Sequence, residues 1–252
     1  MHSATPGRAR GFTLTELAVV FAIVSLLLAA GLFTLSAQTD QRNFDETRRR
    51  LDAARELLLG YAIVNGRLPC PATGSSGGSE AITTPPNCDT AYGGFLPAQT
   101  IGFQVVDNAG FAVDAWGNRI RYAVATTAPT CSAAPTTPHF TNAANLRANG
   151  ITCQPSDLVV CASATGITST TCGTATPVTN QTTLVAIILA PGKNGALGAS
   201  GADEAANTNG DRVFVWHTPT PAGATNGEFD DQIAWITVGE LYGKLVAASV
   251  LP

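Results

Sequence analysis

LAVVFAIVSLLLAAGLFTLSA, residues 17–37, runs for 21 residues without a charge. At about 1.5 Å per residue, a helix of that length crosses the roughly 30 Å hydrocarbon core of a bilayer. No later run rivals it, since LVAIILA (184–190) is strand-sized. Ahead of it lies MHSATPGRARG (1–11), with Arg8 and Arg10 and no acid. That end is expected to stay cytoplasmic while the rest is exported. Two plain readings fit this much: a secretory signal peptide ending near Ala29-Ala30-Gly31, or a simple single-pass anchor.

Neither reading accounts for Glu16, at the mouth of the apolar run in Gly11-Phe12-Thr13-Leu14-Thr15-Glu16-Leu17. A carboxylate at the bilayer centre costs about 2.5–3.5 kcal/mol and less near the interface, so such a residue calls for a partner. The string GFTLTEL behind a short basic leader resembles the type IV prepilin processing site of type IV pilins and type II secretion pseudopilins. The resemblance implies cleavage by a prepilin peptidase after Gly11 and methylation of the new amino terminus at Phe12. It implies that Glu16 serves assembly, offsetting the terminal amine of a neighbouring subunit. Implied partners are other pilin or pseudopilin subunits and an inner-membrane assembly platform. The implied location is the inner membrane, single-pass, with the globular part in the periplasm, and after assembly a periplasmic pseudopilus or an extracellular pilus. The implied segments are 1–11 as leader, 12–38 as the transmembrane or filament-core half of a long helix, and 39–252 as a periplasmic domain.

The helix is expected to continue past the apolar run. QTDQRNFDETRRRLDAARELLLGYAIVNG (38–66) is polar but rich in helix formers. Phe44, Leu51 and Leu58 recur every seven residues, with Ala54 and Tyr61 between them, making one apolar stripe. Arg48, Arg49 and Arg50 read as a solvated face or as partners for Asp45, Glu46 and Asp52. Asn65-Gly66, followed by Pro69, is a helix stop. A helix from Phe12 to about Val64 follows.

Beyond Arg67, Gly/Ser and Thr/Pro clusters alternate with short apolar runs. Strands are expected at 120–125, 158–162, 184–189, 213–217 and 233–238. The fold class is therefore α+β: a long N-terminal helix, apolar in its first half, packed on a C-terminal antiparallel sheet with long disulfide-tied loops. Three short strings add to the resemblance. Asp114-Ala115-Trp116-Gly117-Asn118 is similar to the Asp-Pro-Trp-Gly-Asn turn of the major pseudopilin, with Ala115 in place of the proline. Ala190 to Gly195 (APGKNG) is similar to its Gly-rich loop, and Phe229 to Trp235 (FDDQIAW) to its acidic segment.

Composition excludes several function classes. Fourteen Lys and Arg against 18 Asp and Glu give a net charge of −4, against a nucleic-acid footprint. Three histidines leave little for metal or triad chemistry, and the cysteines show no C-x-x-C zinc spacing. Gly74-Ser75-Ser76-Gly77-Gly78 matches G-x-S-x-G without the strand and helix that a nucleophile elbow needs, so no enzyme is expected. His139 and His217 read as surface or strand residues.

Hard oxygens gather at Asp203, Glu204, Asn207, Asn209 and Asp211, with Asp230 and Asp231 further on. Ca2+ takes about 6–8 such ligands. The pattern is not an EF-hand, and Asn, Asp and Gly are also ordinary turn formers. The resemblance to major pseudopilins, which bind calcium in their final loops, makes calcium the one cofactor to weigh against the turn-former reading. The competing functional class is a membrane-anchored periplasmic binding domain that never polymerises.

Six cysteines in an exported domain are expected to pair, with buried free thiols as the alternative. Fifteen connectivities are open. Proximity suggests Cys70–Cys88, with Cys131–Cys153 and Cys161–Cys172 favoured among the remaining four.

Overall fold

The computed structural model describes residues 13–127, 138–198 and 201–251, with the side chains of 28–37 outside that description. Helix α1 (Leu14–Asn65) is followed by β1 (Ile82–Thr84), β2 (Asn87–Cys88), β3 (Gly94–Phe95), α2 (Ala98–Ile101), β4 (Arg121–Val124), α3 (Ala143–Asn149) and β5 (Val159–Cys161). Then come β6 (Leu184–Ala190), α4 (Ala202–Thr208), β7 (Val213–Val215), β8 (Gln232–Thr237) and α5 (Val238–Ala247). The chain divides into two compact units between Asn43 and Phe44. It is α+β, with an N-terminal helix, antiparallel sheets and disulfides.

Helix α1 runs 52 residues and stops where the sequence offers a left-handed residue. Gly66 adopts φ +68°, and its N–H reaches the Ala62 carbonyl at 2.8 Å. The expected start, Phe12, lies outside the described residues. Within the second unit, Leu51, Ala54, Leu58, Leu59 and Ala62 are buried in the core. Each fully buried leucine contributes about 1.5–3 kcal/mol of burial. Phe44 is half-buried edge-on to Trp116, with ring centroids 4.9 Å apart. Arg49 and Arg50 pair with Glu46 one turn back at 2.8 and 3.1 Å.

The central sheet has the order β3-β4-β6-β8, antiparallel throughout. Tyr122 of β4 faces Gly94 and Ile188; Leu189 of β6 faces Arg121 and Ile233. Every residue of β6 is buried, as its unbroken LVAIILA run requires of a strand covered on both faces. All five expected strands are present within a residue or two. One expectation is corrected: β5 and β7 do not join the sheet but pair in parallel beside it, Val160 opposite Phe214. Parallel pairing needs a long crossover, and the chain through β6 and α4 supplies it.

Disulfides join Cys70 to Cys88 and Cys161 to Cys172. Cys153 is also disulfide-bonded, while Cys131 lies outside the described residues.

Candidate functional site

Two places bring the candidate functional residues together: the start of α1 and one buried acidic cluster. Gly11 and Phe12 lie outside the described residues. Thr13 and Glu16 form a capping box at the start of α1. The Thr13 N–H donates to Glu16 Oε2 at 2.9 Å, and the Glu16 N–H donates to Thr13 Oγ1 at 3.2 Å. The Thr13 hydroxyl also donates to Glu16 Oε2, at 2.9 Å. In the single chain the Glu16 charge thus satisfies its own helix end. The signal for this, Thr-x-x-Glu before an apolar run, was present in the sequence.

Every residue from Thr13 to Leu27 is exposed, including Leu14 at 86%, Leu26 at 74% and Phe21 at 63%. An apolar helix exposed all round is stable only in lipid or against other chains. Among the described residues no helix is long and apolar enough to cross a membrane. The described side chains of this run stop at Leu27, and the sequence carries it uncharged to Ala37.

The acidic cluster is built by three segments. Helix α4 presents Glu204, the segment entering β8 presents Asp230 and Asp231, and the loop after β6 supplies donors. Ligand atoms of Glu204, Asp230 and Asp231 lie within 4.8 Å of one another, and all three residues are buried. Asn194 Nδ2 donates to both Glu204 oxygens, at 2.9 and 3.0 Å. The Lys193 N–H donates to Asp230 Oδ2 at 2.9 Å, and Asn207 Nδ2 to Asp231 Oδ2 at 2.7 Å. Asp230 Oδ1 is buried and accepts no hydrogen bond. Gly192, at φ +70°, lies against it: a Cβ there would sit 2.1 Å from that oxygen.

Burial, with the neighbouring charges of Glu204 and Asp230, pushes Asp231 up to about 8 against the hydrogen bond from Asn207. Burial also pushes Asp230 up to about 6, aided by Glu204 and Glu228 and opposed by the backbone N–H groups of Lys193 and Asn194. Three carboxylates packed together out of water are stabilised by a bound cation. An all-oxygen donor set with one oxygen lacking a donor suits a hard divalent ion such as calcium.

Of the other residues expected at this site, Asn207 adjoins the cluster, whereas Asp203, Asn209 and Asp211 lie elsewhere. Asp203 accepts from the Ala164 N–H at 2.6 Å and from Asn226 at 3.1 Å, and its Oδ2 is 3.2 Å from His217 Nε2. Asn207 bonds the Val215 backbone at both N–H and carbonyl, so it orients Asp231. Asn209 and Asp211 close an exposed turn between themselves. The sequence did not point to Asn194 as the residue that holds Glu204, although it stands in the quoted Gly-rich loop.

His139 departs from expectation: it is fully buried, edge-on to Phe140 and 3.3 Å from the Tyr242 hydroxyl. Ser76 bonds the carbonyls of Thr73 and Ser79, so its hydroxyl closes a turn.

Residues 7–32 match the family described as the prokaryotic N-terminal methylation motif. This chain therefore carries the signature of type IV pilins and pseudopilins. The match covers the sequence around Gly11, Phe12 and Glu16 and stops within α1. No curated protein and no solved structure matches the chain.

Proposed function

We propose that this chain is a pilin-like structural subunit, processed by a prepilin peptidase and assembled into a type II secretion pseudopilus or type IV pilus. The observation that carries the reading is the methylation motif at 7–32, whose described side chains in α1, up to Leu27, are all exposed. Hydrolysis of the Gly11–Phe12 peptide bond frees the Phe12 amine, which is then methylated. Glu16, five residues into the mature chain, supplies a carboxylate for the amine of a neighbouring subunit. The apolar run to Ala37 holds the subunit in the inner membrane, and on assembly its surface exchanges lipid for neighbouring helices. Leaving the bilayer then requires little net exposure to water. The remainder, from 39 onward, is the periplasmic domain, and we assign it a structural rather than a catalytic role.

Glu204, Asp230 and Asp231 hold calcium in this reading, which supplies charge compensation and ties α4, the loop after β6 and the start of β8 together. Asn194, Lys193 and Asn207 fix the carboxylates. Mass spectrometry of the mature protein tests the main reading. A chain beginning at methylated Phe12 is the expected result, and a start near Leu32 overturns it in favour of a cleaved signal peptide.

A further inference from the structure

A cavity of about 200 Å3 opens beside the acidic cluster, lined by Phe95, Arg121, Pro191, Asn194, Glu204 and Asp231 among others. Two of the three cluster carboxylates therefore form part of its wall. Arg121, on β4, is half-buried with its guanidinium 5.6 Å from the centre of the Phe95 ring. Among the described residues its side chain has no hydrogen bond or ion pair; burial works against its charge, and the nearby charge of Asp231 works for it. Arg119, two residues earlier and also at the cavity, differs: it pairs with Asp107 at 2.7 Å and lies 4.0 Å over the Phe111 ring. Five N–H donors with no acceptor, beside a cavity, leave a place for an anion.

The cluster leaves a matching place. Its carboxylate oxygens are partly engaged by Asn194, Lys193 and Asn207, so three side chains fall short of the roughly 6–8 oxygens calcium takes. We propose that an acidic side chain of a partner protein enters this cavity, one carboxylate oxygen completing the calcium and the other accepting from Arg121. The inference rests on the calcium reading. Without the ion, Glu204 and Asp231 repel an incoming carboxylate; with it, two cationic groups face one. Docking is then conditional on calcium.

Full-length protein in detergent, titrated with calcium alone and then with the blocked peptide Gly-Asp-Gly, tests this by calorimetry. The Asp peptide should bind in calcium and weaken by about tenfold or more in chelator, and Gly-Asn-Gly should not bind. Arg121→Gln should weaken the Asp peptide by about tenfold or more, while the melting temperature stays near wild type. Calcium should bind this variant no more weakly than wild type, since a cation near Asp231 is removed. Calcium binding without peptide binding, or peptide binding indifferent to calcium or to Arg121, overturns the inference and leaves the calcium site standing. Absence of calcium binding removes both. Because the Asp and Asn peptides are compared on the wild-type chain, the outcome holds even if the Arg121 variant misfolds.

Discussion

Arg50, on α1, donates at 2.6 Å to the backbone carbonyl of Asp114, in the turn between β3 and β4. The same guanidinium reaches the Val113 carbonyl at 3.1 Å, and Thr47 accepts from the Ala115 N–H at 3.1 Å. The Asp114 carboxylate turns inward, its Oδ1 accepting from Trp116 and Asn118 at 2.9 and 2.8 Å. Its Oδ2 is buried with no donor. The Asp-Ala-Trp-Gly-Asn string is thus the clasp that holds the helix on the sheet.

That clasp predicts a pH dependence. Burial pushes Asp114 up to about 6, against the N–H groups of Asn118 and Trp116 and the charge of Arg50. The folded state binds the proton more tightly than the unfolded chain, so stability falls as pH rises from about 4 to 6 and is then flat. The full span is about 3 kcal/mol from this group. Asp114→Asn should remove that part of the slope in urea unfolding at pH 4.5 and 7.5. A variant with the wild-type slope refutes the assignment.

Glu80 gathers four donors: two from Arg67 at 2.8 and 2.9 Å, the Tyr61 hydroxyl at 3.1 Å and the Cys70 N–H at 3.1 Å. Burial works to raise its pKa, but Arg67 and the Cys70 N–H outweigh it and hold the carboxyl below its ordinary value. Its contribution is present above the unfolded pKa of about 4.3 and lost as pH falls below it. Glu80→Ala strands Arg67 and should cost about 2–4 kcal/mol at pH 7. A loss within experimental error would show the network to be idle.

Replacing Cys70 and Cys88 together by Ser opens an 18-residue loop and should destabilise by about 3 kcal/mol. Unreduced double variant should melt below unreduced wild type, and fully reduced wild type, which also loses Cys161–Cys172, should melt lower still; equal melting of the unreduced pair refutes the contribution.

At a hundred times its dissociation constant, calcium should stabilise the protein by about 2.7 kcal/mol over chelator. Glu204→Gln should abolish that increment. Gly192→Ala, which drives a methyl into Asp230 Oδ1, should weaken calcium and lower the melting temperature. Identical melting curves in chelator and millimolar calcium would end the metal reading.

Glu16→Gln keeps an acceptor for the capping box and removes only the charge, whereas Glu16→Ala removes both. Both variants should be lost from filaments while the globular part melts as in wild type. Normal incorporation of the Gln variant would leave the cap, and not the charge, as the working part.

The long helix and the strand positions were legible because their signals are local. An unbroken run of helix formers ends at Asn65-Gly66, and LVAIILA can only be a buried strand or helix turn. Pairing was not legible: nothing in Val159–Cys161 says that it prefers Val213–Val215 to the sheet. The short helix α4, ADEAANT, is not signalled in the sequence, because Asp, Asn and Thr are poor helix formers. Packing overrides that preference, and with it decides which acids converge. Asp203 and Glu204 are neighbours in sequence, yet α4 sends one to His217 and the other to Asp230 and Asp231. Arg121 gave no signal at all, since its place at the cavity, against Phe95 and near Asp231, exists only in three dimensions.

All six cysteines follow the end of α1 in the chain. No crosslink, whatever its connectivity, can enclose any residue of that helix. Its hold on the rest of the second unit is non-covalent, from the buried leucines, Phe44 against Trp116, Tyr61 on Glu80, and Thr47, Arg50 and Arg55 among others. Arg55 donates at 2.6 Å to Glu240 and at 3.1 Å to the Trp235 carbonyl. Under mechanical tension along the helix these non-covalent attachments bear the whole load. The chain meets its first covalent crosslink at Cys70, so a pull on the amino end would peel α1 away while the disulfide-closed loops stay closed.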